Sequence, residues 1–205
     1  QRYNANPPSP SEVTRLDGMA RSISADSASS LVFAAPPTVG SNHTFHVQHN
    51  TTYEWTDVTA TLKKTGSSCY IWVVDDSYSD LSTDDRDSKL TDIQINALAE
   101  WFDKIYLAET NLLGYEYGGG LQSTDPAYGG KDGDPKISIL LYDIDGDLTD
   151  TQKTNSGICG YFTAVDYQDA GSFSFGGDTY KSNAREIFYI DSFFTDSQPQ
   201  MMYST

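Results

Sequence analysis

The chain has 205 residues and a formal net charge of −16, with 38% hydrophobic residues that include 14 Tyr, 9 Phe and 3 Trp. That length fits one domain, or one domain with a short extension, and the aromatic residues suffice to build a core. Its negative charge argues against nucleic acid, whose phosphates need basic patches, and no apolar run approaches the roughly 18 residues required for membrane insertion.

The chain divides at about residue 40 into an extended, linker-like or accessory segment (1–40) and a structured part (41–205). The opening residues 1–11 are rich in Pro, Asn and Ser, as suits a mature N-terminus after signal cleavage or below a surface anchor. An extracellular or cell-surface location is expected on that reading. Leu31, Val32 and Phe33 before Pro36-Pro37 read as a short strand that the prolines end.

His43, His46 and His49 are the only histidines. In a strand, alternation puts His43 and His49 on one face and His46 on the other, which splits a metal-binding trio. The neighbouring Thr, Phe and Val favour strand, so surface histidines on an edge strand are expected. Asn42-His43-Thr44 and Asn50-Thr51-Thr52 are glycosylation sequons, meaningful in a eukaryotic source.

Val58, Ala60 and Leu62 alternate with Thr59, Thr61 and Lys63, a strand with one wet face. Thr65-Gly66-Ser67-Ser68 is turn chemistry, and Tyr70-Ile71-Trp72-Val73-Val74 is a continuous apolar run. Together they predict a hairpin whose second strand is buried on both faces.

An acidic, Ser-rich loop covers residues 75–88. Thr91-Asp92-Ile93-Gln94 then offers a capping box, and Ile95, Leu98, Phe102, Ile105, Leu112 and Leu113 form one apolar helical stripe up to a glycine cap at Gly114. A Gly-rich loop follows from Gly118 to Gly133. It is not a phosphate loop, because it comes after a helix and no Lys-Ser or Lys-Thr pair opens a second one behind it.

Three further strands are expected at residues 137–142, 161–165 and 187–190, the first buried on both faces. Strand 70–74, the crossover helix and strand 137–142 should form a right-handed parallel unit. The fold class is α+β: a mixed, mostly parallel sheet of about five strands with one long crossover helix. Cys69 and Cys159 each precede an apolar strand, and antiparallel strands would put them at opposite ends of the sheet, so two unlinked thiols are expected.

Asp143-Ile144-Asp145-Gly146-Asp147 resembles part of a calcium loop, but its glycine falls two positions early for an EF-hand and Thr154 stands where a glutamate is needed. A solvated turn is the simpler reading, there and at Asp132-Gly133-Asp134 and Asp84-Asp85. Any of them could contribute a ligand to a composite calcium site. Residues 197–205 read as a helix opening, with Ser197 as cap and Pro199 early, and suggest a chain severed inside that helix.

Several segments in order are similar to the front of the hyicolysin-type bacterial neutral metallopeptidases, a family of secreted or surface zincins. They are residues 69–75 (CYIWVVD), 102–106 (FDKIY), 137–143 (ISILLYD), Gly160-Tyr161-Phe162 with Asp166, and 185–191 (REIFYID). In that family the helix after the last strand carries His-Glu-x-x-His, two zinc ligands and a general base. The chain ends at Thr205, about where that motif would begin, so no zinc ligand or catalytic residue is carried over.

The resemblance therefore implies the N-terminal subdomain of a zinc metalloendopeptidase, inactive by itself, with zinc bound only in the intact parent. Its partners would be protein or peptide substrate and the remainder of its own chain. Zincins bind extended substrate on an antiparallel edge strand, which here corresponds to residues 161–165, with Phe162, Thr163 and Ala164 facing substrate. The implied sheet order is 57–63, 69–75, 137–142, 187–190, 161–165. The rival reading is a non-catalytic, surface-exposed binding or adhesion module, stabilised by calcium in its acidic loops.

Overall fold

The structure is a computed structural model that describes residues 35–50, 52–79, 89–144, 148–149, 152–153 and 158–192. The expected strand at 31–33, the acidic pair Asp84-Asp85, the aspartates Asp145 and Asp147, and the helix opening at 197–205 lie outside the described residues.

Strands β1 (Asn42–Gln48), β2 (Trp55–Thr65) and β3 (Cys69–Val74) form an antiparallel meander. The predicted turn between β2 and β3 is present. Asp103 of the following helix fastens it, accepting the Ser67 and Ser68 backbone N–H groups at 2.7 Å each. Helix α1 (Asp92–Leu113) crosses to β4 (Ile137–Tyr142), which lies parallel to β3. The cap reads as expected: Gln94 Oε1 accepts the Thr91 backbone N–H at 2.7 Å, and Gly114 takes φ +93°. A pair of two-residue strands, β5 (Leu148–Thr149) and β6 (Gln152–Lys153), follows. Next come β7 (Gly160–Tyr161), a 3-10 turn (Ala164–Tyr167) and a hairpin of β8 (Gly171–Phe175) and β9 (Asp178–Ser182). The last strand, β10 (Ile187–Asp191), enters the main sheet parallel to β4.

The main sheet has six strands in the order β1-β2-β3-β4-β10-β7. The order that the resemblance implies for five segments holds, with β7 at one edge and β1, the edge strand expected at the histidines, at the other. Two histidines and an asparagine dilute the pattern of β1, so only Phe45 and Val47 mark its buried face. The sheet is mixed but not mostly parallel. Among the described pairings, β3–β4 and β4–β10 are parallel, whereas β1–β2, β2–β3 and β10–β7 are antiparallel.

Alternation sorts each central strand between two cores. Cys69, Ile71, Val73, Ile139 and Leu141 face α1 and meet Ile95, Leu98 and Ala99. Tyr70, Trp72, Leu140 and Tyr142 face the other way, with Phe45, Leu62 and Tyr189. Both β3 and β4 are buried on both faces, as their unbroken apolar runs require.

The apolar stripe of α1 is buried only in its first half, since Leu112 and Leu113 are 82% and 79% exposed. The reason is length. A helix of 22 residues runs about 33 Å, whereas a six-residue strand spans about 20 Å, so the last turns overhang the sheet.

Residues 161–165 do not form the expected strand. β7 ends at Tyr161, Thr163 Oγ1 accepts the Val165 N–H at 3.2 Å, and the chain turns inward at Ala164. What bends it is Asp166, 2% exposed, whose carboxylate accepts the Asn183 N–H at 2.8 Å and the Tyr189 hydroxyl at 2.7 Å. Burying that carboxylate with two donors overrides the local β preference of Tyr161 to Val165.

Candidate substrate-binding cleft

The loop between α1 and β4 folds back over the start of β10. Gly118 accepts the Gly129 N–H at 3.1 Å, and a Cβ on Gly118 would stand 2.0 Å from the Gly130 nitrogen. A Cβ on Gly130 would strike the Glu186 carboxylate at 2.3 Å. These glycines permit close backbone approach, and the group they wrap is a carboxylate: Lys131 N–H donates to Glu186 Oε1 and Oε2 at 3.2 and 3.3 Å.

Glu186 and Glu116 both line a cleft of about 170 Å³ beside β7 and β10. Tyr106 of α1 orients Glu116, its hydroxyl donating to Oε1 at 2.8 Å. Burial, then the like charges of Asp132 and Glu116, push the Glu186 carboxyl up to about 7. Burial likewise raises Asp132 to about 6. The cleft therefore holds a carboxyl group, Glu186, that exchanges its proton near neutrality, a behaviour that clusters at functional sites.

The Asp132-Gly133-Asp134 turn is half-buried rather than solvated. Asp132 accepts the Asp134 N–H at 3.0 Å, and Asp134 accepts the Lys136 N–H at 3.0 Å and the Tyr70 hydroxyl at 2.8 Å. Its oxygens bind the protein itself, as Asx turns do.

Of the substrate-facing residues expected from sequence, Phe162 and Thr163 line this cleft, whereas Ala164 begins the 3-10 turn. Phe162 is 70% exposed and meets Phe188 of β10 edge to face, with centroids 6.3 Å apart. Tyr167 closes the rim.

The histidines separate as alternation demands, but they are not merely surface residues. His43 packs against Phe45 and Trp72, with ring centroids 4.7 and 5.8 Å away, and its Nε2 lies 3.1 Å from Arg185. Burial and the Arg185 charge lower its pKa to about 4. His46 Nδ1 pairs with Asp57 across β1 and β2 at 2.8 Å. No three His, Cys, Asp or Glu side chains among the described residues gather as metal ligands. The described residues thus do not fit a zinc site.

Cys69 and Cys159 are unlinked, as the topology requires. Cys69 is buried beneath the β2–β3 turn, and burial, then Asp103, push its thiol up to about 12. It is an inert core residue. Cys159 is exposed.

Glu116, Asp132 and Glu186 escape sequence reasoning as a group because the topology, not spacing, brings them together. One signal was available. Arg185-Glu186 sets two charges directly before an apolar strand, where a charged pair is buried at the strand entrance. No family model matches this chain, and no curated protein matches it.

Proposed function

We propose that this chain forms the sheet and the substrate-binding edge of an extracellular or cell-surface zinc metalloendopeptidase, and that it binds an extended polypeptide along β7. The zinc ligands and general base would come from outside the described residues. The observation that carries this reading is the position of β7. It is antiparallel to β10, with Tyr161 opposite Tyr189 and Gly160 opposite Ile190, and it ends the sheet order. An edge strand presents a row of backbone N–H and C=O groups that an added strand can pair with. A cleft lined by Phe162 and Thr163 lies beside it, so a peptide laid on the edge would offer side chains to that cleft.

Gly160 fixes the approach of the two strands, because a Cβ there would come within 2.5 Å of the Tyr189 carbonyl oxygen. A peptide on β7 would run antiparallel to it or parallel to it, held by backbone bonds with little sequence demand. Specificity would then come from the cleft.

Fluorescence polarisation with labelled hexapeptides tests the binding part. Binding is expected, and N-methylation of alternate peptide amides should abolish it, because those groups could no longer donate to the edge. Equal affinity for the methylated peptide would remove the reading. For the catalytic part, casein hydrolysis by the chain extended beyond Thr205 should stop on adding a metal chelator. Hydrolysis indifferent to the chelator would end the zinc assignment.

A further inference from the structure

We propose that the cleft beside β7 is a specificity pocket for a basic side chain, lysine or arginine, on the bound peptide. This rests on the edge reading above and adds to it the chemistry of the side chain selected.

Glu186 is only 6% exposed, yet its carboxylate is met by backbone N–H groups and no cation: the Lys131 N–H at 3.2 and 3.3 Å and its own backbone N–H. An ionised carboxylate offers about four acceptor sites, and charge-assisted bonds to it are usually about 2.7–2.9 Å. Its hydrogen-bonding capacity is largely unused, and the side chain lines the cleft.

The charged groups acting on Glu186 are Asp132 and Glu116, both negative. Arg185 also lines the cleft, but it and Lys131 have partners of their own. Lys131 Nζ pairs with Asp169 at 2.7 Å. The Arg185 guanidinium reaches toward β1, 3.1 Å from His43 Nε2 and 5.2 Å from the Phe45 ring centre, and its Nε donates to the Asn183 carbonyl at 3.4 Å. A buried carboxylate beside like charges is costly, and an incoming cation relieves that cost.

The rim suits the rest of such a side chain. Phe162, Phe188 and Tyr167 present apolar ring surface around the two glutamates. The alkyl stem of lysine or arginine packs on such rings while the head reaches the carboxylates. A volume of about 170 Å³ is below the roughly 300–1,000 Å³ of drug-sized ligand sites, and suits one side chain.

Two hexapeptides that differ only in lysine against norleucine, which keeps the stem and lacks the ammonium, separate the possibilities. In polarisation titrations at low salt the lysine peptide should bind about tenfold tighter. Glu116→Gln should cut that preference to about twofold, since glutamine still accepts from Tyr106 but lacks the charge. Glu186→Gln should act the same way, with near-ultraviolet circular dichroism as the check on its fold. Equal binding of the two peptides to the wild type would overturn the pocket and leave the edge reading standing. A lysine preference that survives in both variants would overturn it too. If neither peptide binds, the edge reading falls and takes the pocket with it.

Discussion

Beneath α1 the sheet meets the helix through Ile71, Val73, Ile139 and Leu141, an apolar contact closed by Ile95, Leu98 and Ala99. The opposite face near β10 buries a carboxylate, an amide and a phenol instead. There Asn183 Nδ2 donates to Tyr189 at 2.7 Å and to the His46 carbonyl at 2.9 Å, and its Oδ1 accepts the His46 N–H at 2.8 Å. Asp166 accepts from both Asn183 and Tyr189. One side chain thus answers the backbone donor and acceptor of a residue 137 positions away on edge strand β1. The apolar face tolerates small rearrangement because dispersion has no direction. The polar face does not, since each lost partner strands another buried group. The candidate cleft opens beside the polar network, whose Asp166 also lines it. A network that fixes Asp166 and Tyr189 also fixes the exit of β7 and the place of Phe162.

The largest expected effect breaks the apolar face. Ile139→Ala removes a fully buried side chain from the central strand and should cost about 3–4 kcal/mol in urea denaturation. Peptide binding of the remaining folded protein should not change.

Next comes the polar face. Asn183→Ala strands the His46 backbone N–H and C=O and removes the amide donor to the Tyr189 hydroxyl, while keeping the backbone N–H that Asp166 accepts, and should cost about 2–3 kcal/mol. Unlike Ile139→Ala, it should also speed hydrogen exchange at the His46 amide and weaken peptide binding, because β1 and the β7 exit lose a shared anchor. Similar exchange rates at His46 in both variants would erase the proposed contrast between the faces.

Glu186→Gln sharpens the comparison through pH. The folded carboxyl titrates near 7, above its ordinary value of 4.5. Between those values the native state binds more protons than the unfolded chain, so this group's contribution to stability falls as pH rises and is level above about 7. Glutamine removes that loss. The variant should match the wild type at pH 4 and exceed it by about 1 kcal/mol at pH 8, after discounting for solvent in an open cleft. The difference between the two proteins isolates this group from His43, whose lowered pKa acts in the opposite sense as pH falls.

The smallest effect belongs to the overhanging end of α1. Leu112→Ser should change stability by less than about 0.5 kcal/mol, because that side chain is 82% exposed. A larger loss in thermal unfolding would mean that the last turns are packed after all.

Local pattern was enough for most of the fold. The alternation at Val58, Ala60 and Leu62, the unbroken apolar runs of β3 and β4, the Thr91–Gln94 cap and the parallel unit of β3, α1 and β4 are all legible in the sequence. Each depends on residues close along the chain, or on the short menu of connections that parallel strands permit. Three features were decided only in three dimensions. The bounds and partner of the edge strand expected at the histidines are set by pairing, since all of Asn42 to Gln48 pairs with β2. The run Tyr161 to Val165 leaves the sheet because Asp166 is drawn inward by Asn183 and Tyr189. Glu116 and Glu186 share one cleft, with the Asp132 charge acting on Glu186, only when the glycine-rich loop folds over β10. Periodicity reports which face of an element is apolar. It carries no information about which distant donor will satisfy a buried carboxylate, and that long-range pairing shapes the cleft.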